Sequence, residues 1–101
     1  MSEKFVIFAR FHAVEGQEQA LLAELRAAVA RVAVQPGSTF VEVYLAVRDQ
    51  RLFWLHSRWI DEAAFDVYAA LPATQAFVER TQLLIDHPFD VTRARSLPDQ
   101  S

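Results

Sequence analysis

The apolar residues of this chain change period several times along its length, and that switching restricts the fold more than any single motif. From Phe5 to His12, β-branched and aromatic residues run up to the turn-like Val14-Glu15-Gly16, which predicts a strand. From Gln17 the spacing becomes helical. Leu21, Leu22, Leu25, Ala28, Val29 and Val32 share one stripe, Gln17, Glu24 and Arg31 stand off it, and Pro36-Gly37 stops it. Thr39 to Val47 and Arg51 to Trp59 read as strands again, and the polar Arg48-Asp49-Gln50 between them makes the pair a hairpin. Asp61 is placed to cap a helix carrying Ala64, Phe65 and Tyr68 on one face. Pro72 either interrupts that helix or starts a second one, because proline is tolerated in a first turn and not in an interior. Phe77, Val78, Thr81, Leu84 and Ile85 continue a helical stripe to His87-Pro88, where the residue before proline is pushed out of the α region. His87 then sits at a helix end, where it favours the helix dipole. Phe89 to Arg95 is the last strand, and Leu97 to Ser101 reads as a loose tail.

The order is βαββαβ with a broken second helix. It predicts an α+β, ferredoxin-like fold: a four-stranded antiparallel sheet with its helices on one face. A chain of 101 residues has room for one such domain, over residues 1–96, and a tail over 97–101.

A sheet covered on one face alternates apolar and polar residues. These strands are apolar on both parities. Phe5, Ile7, Ala9 and Phe11 oppose Val6 and Phe8; Val41, Val43, Leu45 and Val47 oppose Phe40, Tyr44 and Ala46; Phe53, Leu55 and Trp59 oppose Leu52 and Trp54. With 52% hydrophobic residues, so short a chain has more apolar side chain than a monomer easily hides. The simplest cover for the second face is a second copy, so a homodimer packed through the open sheet face is expected.

Ten basic against thirteen acidic residues, with no basic run, argue against nucleic acid or an anionic membrane surface as partner. The absence of cysteine excludes disulfides and thiolate chemistry. No segment approaches the ~20 apolar residues of a membrane helix, and the first residues read as a strand and not as a signal peptide, so a cytoplasmic protein is the expectation.

The chemical inventory is thin. His12, His56 and His87 have no metal-ligand spacing, and no metal is expected from them. Two glycines cannot build a phosphate-cradling loop, and no serine stands in a nucleophile elbow. More informative is the density of aromatics around the third strand and the helix after it: Phe53, Trp54, Trp59, Phe65, Tyr68 and Phe77. Beneath a broken helix they would line an apolar pocket with His56, Arg58 or Tyr68 as its polar groups, a site for a flat, apolar aromatic molecule.

Several ordered pieces carry a resemblance. They are Val14-x-Gly16-x-Glu18, Pro36-Gly37, Arg48-Asp49, Phe53, His56-Ser57-Arg58-Trp59 with Asp61-Glu62-Ala63-Ala64-Phe65, then Leu71-Pro72, Phe77 and Leu84-Ile85-Asp86-His87-Pro88. In this order the chain resembles the antibiotic biosynthesis monooxygenase family of dimeric α/β barrel proteins, and within it the quinol monooxygenase group. The resemblance implies addition of molecular oxygen to a quinol, anthrone or similar aromatic with no cofactor, the substrate itself supplying the electrons. It implies Trp59 and Phe65 as pocket wall. With the residue reading it gives a candidate set of Tyr68 and His56 as catalytic groups and Trp59, Phe65, Arg58, Phe77 and Trp54 as substrate-binding groups. The chain departs from the family pattern at Tyr68 and Ala73, where relatives carry histidines, and at Val41 and Ser57. Two alternatives follow: a non-catalytic binding dimer that lost its base, and haem degradation on the same fold.

Overall fold

Periodicity along the chain becomes layering in space. In the computed structural model, which describes residues 4–97, the elements are β1 (Phe5–His12), α1 (Glu18–Ala33), β2 (Ser38–Leu45), β3 (Leu52–Trp59), α2 (Glu62–Ala69), α3 (Pro72–Gln82) and β4 (Asp90–Arg95). The strands form one antiparallel sheet in the order β2-β3-β1-β4. The expected α+β ferredoxin-like architecture is therefore present, with the second helix divided in two. The expected tail lies outside the described residues from position 98 onward.

The α1 stripe buries Leu21, Leu25, Ala28 and Val32 against the sheet, while Leu22 and Val29 are half-buried at its margin. Each fully buried leucine contributes about 1.5–3 kcal/mol relative to exposure. Asp61 caps α2 through its Oδ1, which accepts the Ala64 N–H at 2.9 Å. Pro72 opens α3 in its first turn, where a missing N–H costs nothing.

The hairpin strands differ from the sequence reading by one or two residues, β2 ending at Leu45 and not Val47 and β3 starting at Leu52, and two larger differences lie near the C-terminal end. α3 ends at Gln82 and does not run on to His87. The backbone beyond it pairs with the end of β1 instead: Val14 N–H donates to Leu84 O at 2.8 Å, Ala13 bridges Ile85, and Asp86 N–H donates to His12 O at 3.0 Å. Leu84 and Ile85 are apolar because they pack under this bridge, so His87 stands off the helix axis and meets Asp86 rather than a helix end. The last strand starts at Asp90. Phe89 turns inward before it and packs on Phe11 at 5.0 Å.

Gly37 lets α1 turn sharply into β2. Its φ is +85°, and a Cβ there would stand 2.6 Å from Ala64 Cβ and 3.1 Å from Ile60 Cγ1. Gly16 has a similar φ of +91° with open space around it. Gly16→Ala should cost about 1–2 kcal/mol from backbone strain alone, and Gly37→Ala about 2–5 kcal/mol because overpacking adds to that strain. Paired urea denaturation curves measure the difference, and equal midpoints would show that α2 does not press on Gly37.

Candidate active site

Strand parity decides which side chains can meet. Ile7 pairs with Ser57, Ala9 with Leu55 and Phe11 with Phe53, and these residues face the helices. The intervening residues Val6, Phe8 and Arg10 of β1, Trp54, His56 and Arg58 of β3, and Phe40, Glu42 and Tyr44 of β2 occupy the other face.

Between the sheet and the helices lies a cavity of about 240 Å³ whose walls include Ile7, Ser57, Phe65, Tyr68, Thr74 and Phe77. Trp59, 1% exposed, stands beside it without lining it. Its ring packs edge-on against Phe65 at 5.5 Å and lies 5.4 Å from Tyr68, and its Nε1–H donates to Ser57 Oγ at 3.0 Å. The break between α2 and α3 is fixed by Thr74, whose hydroxyl donates to the Tyr68 carbonyl at 2.7 Å. On the β4 side, Arg93 lines the cavity and spans to α2, with Nη1 at 2.6 Å from Glu62 Oε2 and 2.8 Å from Asp66 Oδ1, its guanidinium over the Phe65 ring.

The polar groups of this otherwise apolar lining are Ser57, Tyr68, Thr74 and Arg93, and Arg31 stands behind Tyr68 outside it. Burial pushes the Tyr68 hydroxyl above its ordinary pKa of 10.0, while the Thr74 side chain and the Arg31 guanidinium pull the other way. Tyr68 is therefore a hydrogen-bond donor at neutral pH and not a base. Arg31, from the last turn of α1, stacks over the Phe77 ring at 5.4 Å, and its Nε and Nη2 are buried with no hydrogen-bond partner. A guanidinium left this way is costly and favours negative charge nearby. A hydroxyl donor on an aromatic wall, backed by a cation, suits a flat aromatic whose oxygen carries, or comes to carry, negative charge.

The candidate residues thus fall on two faces. Phe65, Tyr68 and Phe77 line the cavity, with Trp59 beside it. His56, Arg58 and Trp54 are on the opposite face of the sheet and do not join them. There His56 stacks on Phe8 at 4.8 Å and touches the Tyr44 hydroxyl through Nδ1 at 3.3 Å. Burial, with the nearby Arg58 charge, holds its pKa below 6.5. Arg58 covers the Phe40 ring at 4.8 Å, and Arg10 stands 5.8 Å over Trp54. Ser57, Thr74 and Arg93 line the cavity and Arg31 backs Tyr68 and Phe77 from outside the lining, and the sequence reading assigned none of the four. Parity alone would have placed Ser57 with Trp59 and set His56 apart, but nothing in the pattern marks Arg31, which reads as a solvent-facing helix residue.

The model of the antibiotic biosynthesis monooxygenase family matches residues 4–80, from β1 through most of α3. The chain belongs to the antibiotic biosynthesis monooxygenase family. Among solved structures, Rv0793 from Mycobacterium tuberculosis superposes with a TM-score of 0.87 at 22% identity, covering 97% of this chain and 99% of its own. PA3566 from Pseudomonas aeruginosa gives 0.86 at 24% identity, covering 97% and 98%. A structure described as an antibiotic biosynthesis monooxygenase gives 0.85 at 17% identity, covering 93% and 99%. At these identities the likeness carries the fold alone. Among curated proteins, no sequence matches the chain. Membership in the antibiotic biosynthesis monooxygenase family points to a monooxygenase-like function, and no helix among the described residues is long and apolar enough to cross a membrane.

Proposed function

We propose that this antibiotic biosynthesis monooxygenase family member oxidises a quinol, anthrone or similar aromatic with molecular oxygen, in the cavity between sheet and helices. The observation that carries this reading is the buried Tyr68 hydroxyl on the aromatic cavity wall, backed by the Arg31 guanidinium that also covers Phe77. Loss of a proton from the substrate to solvent water leaves an oxyanion or enolate. Tyr68 donates a hydrogen bond to that oxygen and Arg31, behind Tyr68, strengthens that donor, so the substrate's own acidity rises without a histidine base. The electron-rich anion passes one electron to dioxygen, and the substrate radical and superoxide combine into a peroxide. For an anthrone, the peroxide takes up a proton and loses water, so the methylene carbon becomes a carbonyl and dioxygen supplies one oxygen to product and one to water.

Oxygen consumption over a panel of anthrones and quinols tests the proposal. Uptake above the buffer rate is expected, with Tyr68→Phe lowering kcat about tenfold or more, the loss of roughly 1.4 kcal/mol of transition-state stabilisation. Arg31→Met should lower it further for substrates that ionise. Uptake equal to buffer across the panel removes the oxygenase reading. Because Tyr68 is held protonated, tight binding of an apolar aromatic without turnover would instead identify a non-catalytic binding protein of the same fold.

The same reading includes a second copy of the chain on the open sheet face. Phe8 and Tyr44 are about 40% exposed there, beside Phe40, Trp54 and Leu52, an apolar set that water covers at a cost.

A further inference from the structure

The end of β1 and the segment after α3 are locked together by the hydrogen bond from Asp86 N–H to His12 O and by the Ala13–Ile85 bridge. That pairing brings together side chains far apart in sequence. His12 Nδ1 lies 2.7 Å from Asp86 Oδ1, and His87 Nδ1 lies 2.6 Å from the same oxygen. The ligand atoms of the three residues all fall within 4.8 Å of one another, and the two imidazole rings meet edge to face at 4.8 Å.

The remaining nitrogen of His12, Nε2, faces Asp49 Oδ2 at 3.1 Å, and Asp49 is itself fixed by the Arg51 N–H donating to Oδ1 at 2.9 Å. A neutral imidazole that donates Nε2–H to Asp49 presents a lone pair at Nδ1. In that tautomer the lone pair faces a carboxylate oxygen, and either a proton on Nδ1 or a metal ion between the two acceptors satisfies both. A carboxylate orienting a histidine whose other nitrogen is free to ligate is the usual outer-shell arrangement of a histidine metal ligand.

We propose that His12, Asp86 and His87 bind one divalent cation of the zinc class, at a site separate from the cavity and independent of the proposed oxidation. Two imidazole nitrogens and one carboxylate oxygen form the donor set of an open zinc centre. Imidazole donors favour zinc, cobalt or nickel over magnesium and calcium. Tetrahedral ligands of such an ion stand about 3.3 Å apart, so the two nitrogen–oxygen distances of 2.7 and 2.6 Å have to open by roughly 0.6 Å while the imidazole nitrogens, within 4.8 Å of each other, settle to the same spacing. His87 and Asp86 are exposed enough to move that far, while His12, with 12% of its side chain accessible, is the fixed member. Arg51 Nη1 lies 3.8 Å from Asp86 Oδ2, which leaves Oδ1 as the ligating oxygen and weakens the site through charge repulsion. Asp86 and His87 border a shallow depression with Gln82, Ile85 and Phe89, which gives an ion access from solvent.

Zinc sulfate titrated calorimetrically into the tag-free protein, with cobalt(II) absorption as the second readout, tests the site. One ion per chain is expected, with the visible bands of tetrahedral cobalt. His87→Ala and Asp86→Asn should each weaken binding by more than about tenfold, and Asp49→Asn by about tenfold. His56→Ala should leave it unchanged. A protein without saturable zinc binding at millimolar concentration, or binding that survives both His87→Ala and Asp86→Asn, would overturn the proposal. Since His87 is exposed, its variant keeps the fold and the test stands even if changes at His12 do not.

Discussion

Replacing Trp59 by alanine is expected to lower the free energy of unfolding by about 3–5 kcal/mol, a large part of the stability of a domain this size. The indole is 1% exposed, at the end of β3, where it joins the sheet to α2 through Phe65 and Tyr68. Its removal costs the transfer free energy of the ring and leaves a void that the flanking aromatics cannot fill, since Ile7 and Val32 hold the cluster from the sheet and from α1. It also removes the Nε1–H donor to Ser57 Oγ, a buried hydroxyl, which adds about 1 kcal/mol. Urea denaturation gives the magnitude. Indole added to the variant should raise its unfolding temperature and leave the wild type unaffected, because a dry apolar void accepts an apolar guest. A loss below about 1 kcal/mol, or no indole effect, would mean that the cluster collapses and that Trp59 does not shape the cavity.

Phe8→Asp is expected to halve the particle mass. In the proposed dimer the wild type sediments near twice the chain mass of 11.5 kDa and the variant at the single-chain value. Phe8 is 41% exposed on the open face and stacked on His56, and two-fold packing would place the new carboxylate in a desolvated seam on both copies. Because Phe8 lies opposite the helix-covered core, its far-UV circular dichroism should stay that of the wild type. Val67→Asp, at an exposed position on α2, should leave the mass unchanged. Acidification acts on the same face. His56 has its pKa lowered in the folded protein, so the unfolded chain binds protons more readily. Its contribution is complete above pH 6.5 and declines as pH falls through 6.5 toward the folded value. A wild type that sediments as a single chain at micromolar concentration would dismiss the interface.

Much of the fold was legible because each element carries its own local signal. The helical stripe of α1, the Asp61 cap, Pro72 in a first turn and the polar hairpin at Arg48-Asp49-Gln50 all state their geometry within a few residues. The family resemblance was legible for the same reason, since it rests on short pieces in order. The site was only partly legible. Phe65, Tyr68 and Phe77 share the helical faces that pack on the sheet, so counting aromatics near β3 found them. The same count drew in Trp54, His56 and Arg58, which neighbour the cavity residues in sequence and are turned away from them by the two-residue pleat.

Sequence by itself determined the βαββαβ order, the two apolar sheet faces and the family, because hydrophobic period and turn chemistry act over neighbouring residues. Only the tertiary structure decided which polar groups share a space. Arg31 looks like a surface residue until α3 places Phe77 beneath it, and His12 and His87 look unrelated until the 84–86 segment pairs with β1. Contacts of this kind depend on long-range backbone pairing and on the crossing of helices over a sheet, and neither leaves a mark within the short windows in which a sequence can be read.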